Sequence, residues 1–143
     1  MPPTDRFVNE TTFYVRYAET DMMGIVHHAT YLIWFEEGRS AYIREKGGSY
    51  SAIEASGYFL AASELNARYV KAAIYDRQIT VKCWIESYKS RVMVFGCEII
   101  DTETADLLFE ATAKLICLNR TGHADASRMG EMAERINTRY KGD

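Results

Sequence analysis

The sequence predicts an α+β domain, in which a five-stranded, largely antiparallel sheet carries one long helix on one face. Three observations lead there. Residues 11–18 (TTFYVRYA) are rich in β-branched and aromatic types, as a strand requires. Residues 29–46 hold neither proline nor strand alternation. From residue 58 to residue 118 the chain divides into four segments of strand character separated by short turn signals. A strand, a helix and four closely connected strands pair mainly antiparallel, because parallel neighbours need crossovers of a dozen or more residues.

In the first strand Phe13, Val15 and Tyr17 share one face, with Thr12, Tyr14 and Arg16 on the other. The helix over residues 29–46, stopped by Gly47-Gly48, is about 27 Å long at 1.5 Å per residue. On a helical wheel Tyr31, Leu32, Trp34, Phe35, Gly38, Ala41, Tyr42 and Ile43 form a very wide apolar arc, and Thr30, Glu37 and Arg44 a narrow polar strip. Such a helix is expected to be mostly wrapped by protein. A short second turn is expected near residues 49–56, then strands over 58–70, 78–89, 91–101 and 107–118. Ile79, Val81, Cys83 and Ile85 alternate with polar neighbours, as do Leu107, Phe109, Ala111, Ala113, Leu115 and Cys117, so each strand has one buried face. Residues 119–122 close the sheet, and residues 127–138 read as a terminal helix. One helix cannot cover five strands, so a homodimer or homotetramer joined through sheet edges is expected, with FLAASELNA (59–67) as the candidate edge.

With 143 residues, 48% hydrophobic and 26% charged, the chain is expected to fold as a single domain over residues 1–143 without disulfides or a structural metal. Its net charge of −3 and scattered basic residues exclude a nucleic-acid stripe and a polybasic membrane anchor. Cys83, Cys97 and Cys117 are odd in number, lack metal-ligand spacing and sit in apolar runs, which makes them core residues. The N-terminus MPPTDRFVNET has no signal-peptide pattern, and no apolar run approaches the ~20 residues that span a bilayer. A cytoplasmic protein is expected.

The densest group of unusual residues, YAETDMMGIVHHATYLIWFEEGR (17–39), lies between the first strand and the helix. Asp21 sits on the loop, Gly24 gives a turn, and His27 and His28 stand immediately before the helix. A helix start offers unpaired backbone N–H groups and partial positive charge, which suit a carbonyl oxygen turning into an oxyanion. Asp21 could then attack an activated acyl group or activate water, while the His28 N–H stabilises the developing charge. The residues alone leave a simpler reading open, in which Asp21 is a cap or turn former. The paired histidines do not make a metal site, since only His123 remains and no Glu or Cys stands at ligand spacing.

The same segment closely resembles the signature of the 4-hydroxybenzoyl-CoA thioesterase family, in its YbgC-like branch: Y-x-x-T-D-x-x-G-x-V-x-H-x-x-Y-x-x-x-F-E-x-x-R. Tyr17, Thr20, Asp21, Gly24, Val26, His28, Tyr31, Phe35, Glu36 and Arg39 match it. The resemblance extends over about residues 8–118 and implies the hot-dog fold, a five-stranded sheet wrapped around one long helix. It implies that Asp21 is catalytic, that the His28 N–H polarises the thioester carbonyl with its side chain beside the substrate, and that Tyr31 lies near the acyl group. Gly24 and His27 belong to the same substrate-facing segment. Thr30 replaces the usual Asn and His27 the usual aromatic, which leaves acyl specificity open. Glu36 and Arg39, three residues apart, form an ion pair between helix and sheet or shape the site. Lys71, Lys89 and Arg91 fall where the resemblance suggests contacts to the phosphates of CoA or of a carrier's pantetheine.

The expected activity is therefore hydrolysis of an acyl-CoA or acyl-carrier-protein thioester, with no cofactor beyond the CoA of the substrate itself. Two alternatives stand beside it: a hot-dog enoyl-CoA hydratase and a non-catalytic acyl-CoA binding module.

Overall fold

The computed structural model describes residues 2–21, 23–46, 55, 58–89 and 91–119. Strand β1 (Asn9–Tyr14) leads through a short 3-10 turn (Tyr17–Glu19) and a loop to helix α1 (Thr30–Glu45). Strands β2 (Tyr58–Tyr69), β3 (Gln78–Lys89), β4 (Val92–Asp101) and β5 (Leu107–Asn119) follow. The turn expected near residues 49–56, residue 55 apart, and the helix expected over 127–138 lie outside the described residues.

The five strands form one antiparallel sheet in the order β1-β3-β4-β5-β2. The helix lies along one face of it, packed on β1, β3 and β4. Gly38 makes the close approach possible: a Cβ there would stand 2.8 Å from Val81 Cγ1. Aromatic rings fix the rest of the contact, with Trp34 edge-on to Phe13 and Tyr42 edge-on to Phe95. Below them Ile79, Val81, Cys83, Phe95, Cys97, Ile99 and Phe109 are fully or almost fully buried, and the register sets Val81 against Ile99 and Ile99 against Phe109. Cys83, Cys97 and Cys117 are buried core thiols outside any disulfide, as their apolar surroundings suggested.

Two boundaries differ from the sequence expectation. The first strand begins at Asn9 and ends at Tyr14, and Tyr17 is 77% exposed instead of continuing the buried face. The cause is local: the Glu19 carboxylate takes the Arg16 N–H, closing a capping box that turns the chain out of extended form. The helix is enclosed along the expected apolar arc, with Leu32 and Ala41 partly buried. Tyr31, Trp34, Phe35, Gly38, Tyr42 and Ile43 are its buried residues, whereas Ile33 faces outward.

The expected edge strand is confirmed in position, because β2 pairs with β5 alone. Its helix-side residues Leu65 and Tyr69 are 43% and 47% exposed, so the sheet's apolar face continues beyond the helix into the open.

Candidate active site

The loop between β1 and α1 is pinned to itself at three levels. His27 N–H donates to the Glu19 carbonyl at 3.0 Å, Thr20 bridges Val26, and Asp21 N–H donates to the Ile25 carbonyl at 2.9 Å. Gly24 closes the tip at φ +78°, with its N–H on the Asp21 carbonyl. That left-handed backbone is what glycine supplies. A second bridge, Ile25 to Ile74, ties the loop to the segment entering β3.

Asp21 is exposed, and its Oδ1 accepts the Met23 N–H at 2.8 Å. This anchors one carboxylate oxygen and leaves Oδ2 without a hydrogen bond among the described residues. At the helix start the neighbouring donors are taken: His27 N–H by the Glu19 carbonyl, Ala29 N–H by His27 Nδ1 at 3.2 Å, and Thr30 N–H by the His27 carbonyl at 3.0 Å. Among the described residues the His28 N–H has no acceptor. The loop thus carries an open donor at the helix N-terminus and, seven residues before it, a half-anchored carboxylate, groups of the kind that serve a carbonyl under attack.

The remaining sequence-predicted residues take different places around this loop and the sheet. His27 and His28 are exposed and stack at 4.4 Å between ring centroids, with His27 also capping the helix. Tyr31, one turn on, is 3% exposed, stacked on Phe109 and edge-on to Tyr69, and its hydroxyl accepts the Ala73 N–H at 2.8 Å. Burial pushes its phenol above the ordinary value, against the lowering effect of that N–H. Glu36 is exposed and does not pair with Arg39, whose guanidinium lies 4.5 Å from the centroid of the Phe35 ring.

Lys71 is held by Asp106 at 2.7 Å, at the end of the sheet where β2 meets the start of β5. Lys89 and Arg91 are exposed at the opposite end. Lys71 N–H bonds the Leu108 carbonyl and the Arg91 carbonyl bonds the Cys117 N–H, so the two ends lie about 30 Å apart at 3.3 Å per strand residue. One chain does not bring the three cations together.

Two residues escaped the sequence reading. Glu19, 13% exposed in its side chain, accepts the Trp34 indole N–H at 2.7 Å and the Arg16 guanidinium at 2.8 Å. Burial would raise its carboxyl, but Arg16 and the Trp34 N–H outweigh that and hold it below the ordinary value. A buried tryptophan needs an acceptor for its N–H, and that need was the available signal. Tyr69, on the edge strand, donates its hydroxyl to the His28 carbonyl at 2.9 Å. No local pattern links residues 41 apart. A groove of about 370 Å³ on the other face of the sheet, between Trp84, Asn66, Glu98 and Glu110, holds none of the predicted residues.

Comparison with known proteins agrees with the fold and with the family resemblance. The family profile of the thioesterase superfamily matches residues 23–107, a span that begins two residues after Asp21. YneP of Bacillus subtilis, whose name assigns it to the acyl-CoA thioesterases, is 39% identical over 79% of this chain and 81% of its own length. The acyl-CoA thioester hydrolase YbgC of Escherichia coli is 28% identical over 73% of this chain and 78% of its own. Among solved structures, a DHNA-CoA thioesterase from Staphylococcus aureus superposes with a TM-score of 0.83 at 31% identity, covering 92% of this chain and 91% of that one. The helix on a five-stranded antiparallel sheet is thus the hot-dog fold, and the chain belongs to the thioesterase superfamily.

Proposed function

We propose that this protein hydrolyses an acyl-CoA, or the same acyl group on a carrier protein, to free acid and thiol. Asp21 is the nucleophile or general base, and the His28 N–H is the oxyanion donor. The observation that supports this reading best is the open His28 N–H, flanked by donors that are all occupied, on the loop whose tip offers the free Oδ2 of Asp21.

As a general base, Asp21 takes a proton from water as the water oxygen adds to the thioester carbon. Charge gathers on the carbonyl oxygen at the His28 N–H, the C–S bond breaks, and the thiol leaves with the proton Asp21 had accepted. As a nucleophile, Oδ2 itself adds to the carbon, the thiolate leaves, and water opens the mixed anhydride. Both routes run on the chain's own groups and need no metal or redox cofactor. Gly24 gives the thioester room at the loop tip, His27 and His28 flank it, Tyr31 backs the acyl end through Tyr69, and Glu36 borders the site along the helix.

Of the three cations expected to meet the phosphates, one chain sets Lys71 alone at the Tyr69 end of the sheet. Two β2 edges paired antiparallel about a two-fold axis would set the Arg91 end of one copy beside the Tyr69 end of the other. Lys89 and Arg91 of the second copy then join the site, and Leu65 and Tyr69 are covered. The functional unit we propose is accordingly a homodimer, or a homotetramer built from two. We place it in the cytoplasm, where its buried cysteines stay thiols and CoA esters are made.

Release of free thiol from benzoyl-type, short-chain and long-chain CoA esters and from an acyl carrier protein ester tests the reading. Thiol release from one of these is expected. Hydration of an enoyl-CoA without thiol release favours the hydratase alternative, and binding with neither reaction favours the non-catalytic one. Rapid quench with mass spectrometry distinguishes the two routes by the presence of an acyl adduct on Asp21.

A further inference from the structure

We propose that Glu19 is a positioning residue of this site, holding the loop that carries Asp21 against the start of the helix that carries the His28 N–H. The inference rests on the assignment of Asp21 and His28 above.

Glu19 is the one residue of the segment that joins all three elements. Its Oε1 accepts the Arg16 N–H at 2.8 Å and its Oε2 the Arg16 guanidinium at 2.8 Å, which fixes it to the chain just past the first strand. The same Oε2 accepts the Trp34 indole N–H at 2.7 Å, which fixes it to the helix. Its backbone carbonyl takes the His27 N–H, one residue before the open donor. Trp34 in turn is immobilised in the core between Phe13 and Tyr31.

The bonds within the loop set its shape, and the Ile25–Ile74 bridge with the Val26 N–H on the Ala73 carbonyl ties its far side to the segment entering β3. The Glu19 carboxylate supplies the side-chain link from the near side of the loop to the helix, two residues before Asp21. Without it the near side of the loop relaxes, and Asp21 shifts relative to the His28 N–H while both groups remain present. A displacement of about 1 Å in such a pair lowers turnover by up to ~100-fold.

The test compares kcat, KM and thermal midpoint for Glu19→Ala, Glu19→Gln and Trp34→Phe, each alone and combined with Asp21→Asn. Assays run well below every midpoint, so loss of folded protein does not enter. Glu19→Ala is expected to lower kcat by about tenfold to a hundredfold with KM little changed. Glu19→Gln, which keeps one oxygen for Trp34, recovers part of that loss. Trp34→Phe lowers kcat too and, combined with Glu19→Ala, adds little, since Glu19→Ala already removes the bond to the Trp34 indole. In the Asp21→Asn background the Glu19 variants cost little more. Unchanged kcat in the Glu19 variants overturns the proposal, as does a loss that multiplies fully with that of Asp21→Asn. If Glu19→Ala does not fold, Glu19→Gln and Trp34→Phe decide by the same comparison. Near-normal turnover by Asp21→Asn alone removes the underlying site assignment, an outcome read separately from the Glu19 series.

Discussion

The hydroxyl of Tyr69, on the edge strand, donates to the backbone carbonyl of His28 at 2.9 Å, so the open rim of the sheet holds the peptide that follows the proposed oxyanion donor. Tyr69→Phe keeps the ring against Tyr31 and Phe109 and removes this bond alone. Turnover should fall by about tenfold or less, the equivalent of one neutral hydrogen bond of ~1 kcal/mol, with the thermal midpoint nearly unchanged. Steady-state kinetics beside a melting curve checks it. Full activity in the variant removes Tyr69 from the account.

Gly24 adopts φ +78°, with open space around the position of a Cβ. Gly24→Ala therefore meets no clash, and its cost is conformational, about 1 kcal/mol. A small drop in denaturation midpoint with a larger loss of kcat is expected, because the loop relaxes by moving Asp21. Equal activity of the variant and the parent would show that the tip geometry does not matter to turnover.

Glu19 sets an acid-side stability limit. Its carboxyl is held below the ordinary 4.5 by Arg16 and Trp34 against the raising effect of burial, so its contribution is complete above that value. It is lost as pH falls through the lower folded-state value, because the unfolded chain binds the proton first. Between about pH 5 and pH 3 the thermal midpoint of Glu19→Gln should fall less steeply than that of the parent. Asp101, also lowered, by the Thr104 N–H and Arg77 against its own desolvation, keeps some slope in both. Parallel curves would contradict the assignment.

How much was legible beforehand follows from where the information lies. Strands β3 to β5 and the helix came within a residue or two of their bounds, because period-2 burial and a glycine stop are local signals. Motif spacing singled out Asp21, Gly24 and His28, and the structure sets all three on the loop between β1 and α1. The end of β1 was misplaced because the Arg16–Glu19 capping box overrode good strand propensity. For Glu36 and Arg39, of the two readings that the spacing left open, the ion pair does not form, since Arg39 turns onto Phe35. Tyr69 and Lys71 depend on contacts with distant strands, which no window of sequence contains.

The buried thiols give a simple check on the core. Burial pushes Cys83 up to about 12, and Cys97 lies directly opposite it, also well raised. At pH 8 the thiolate fraction of Cys83 is then about one in ten thousand. Iodoacetamide should leave the native protein unlabelled at Cys83, Cys97 and Cys117 and label all three in denaturant. Rapid native labelling of Cys83 would contradict its place under the helix.

The central claim is that the Asp21 carboxylate drives thioester hydrolysis, and Asp21→Asn tests it most directly. The substitution keeps size and the Oδ1 acceptor for the Met23 N–H while removing the charge. With an acyl-CoA that the parent turns over, hydrolysis should fall by about 10²- to 10⁴-fold while the variant binds that ester with similar affinity and melts at a similar temperature. A variant that folds, binds and still releases thiol at nearly the parental rate would contradict the account.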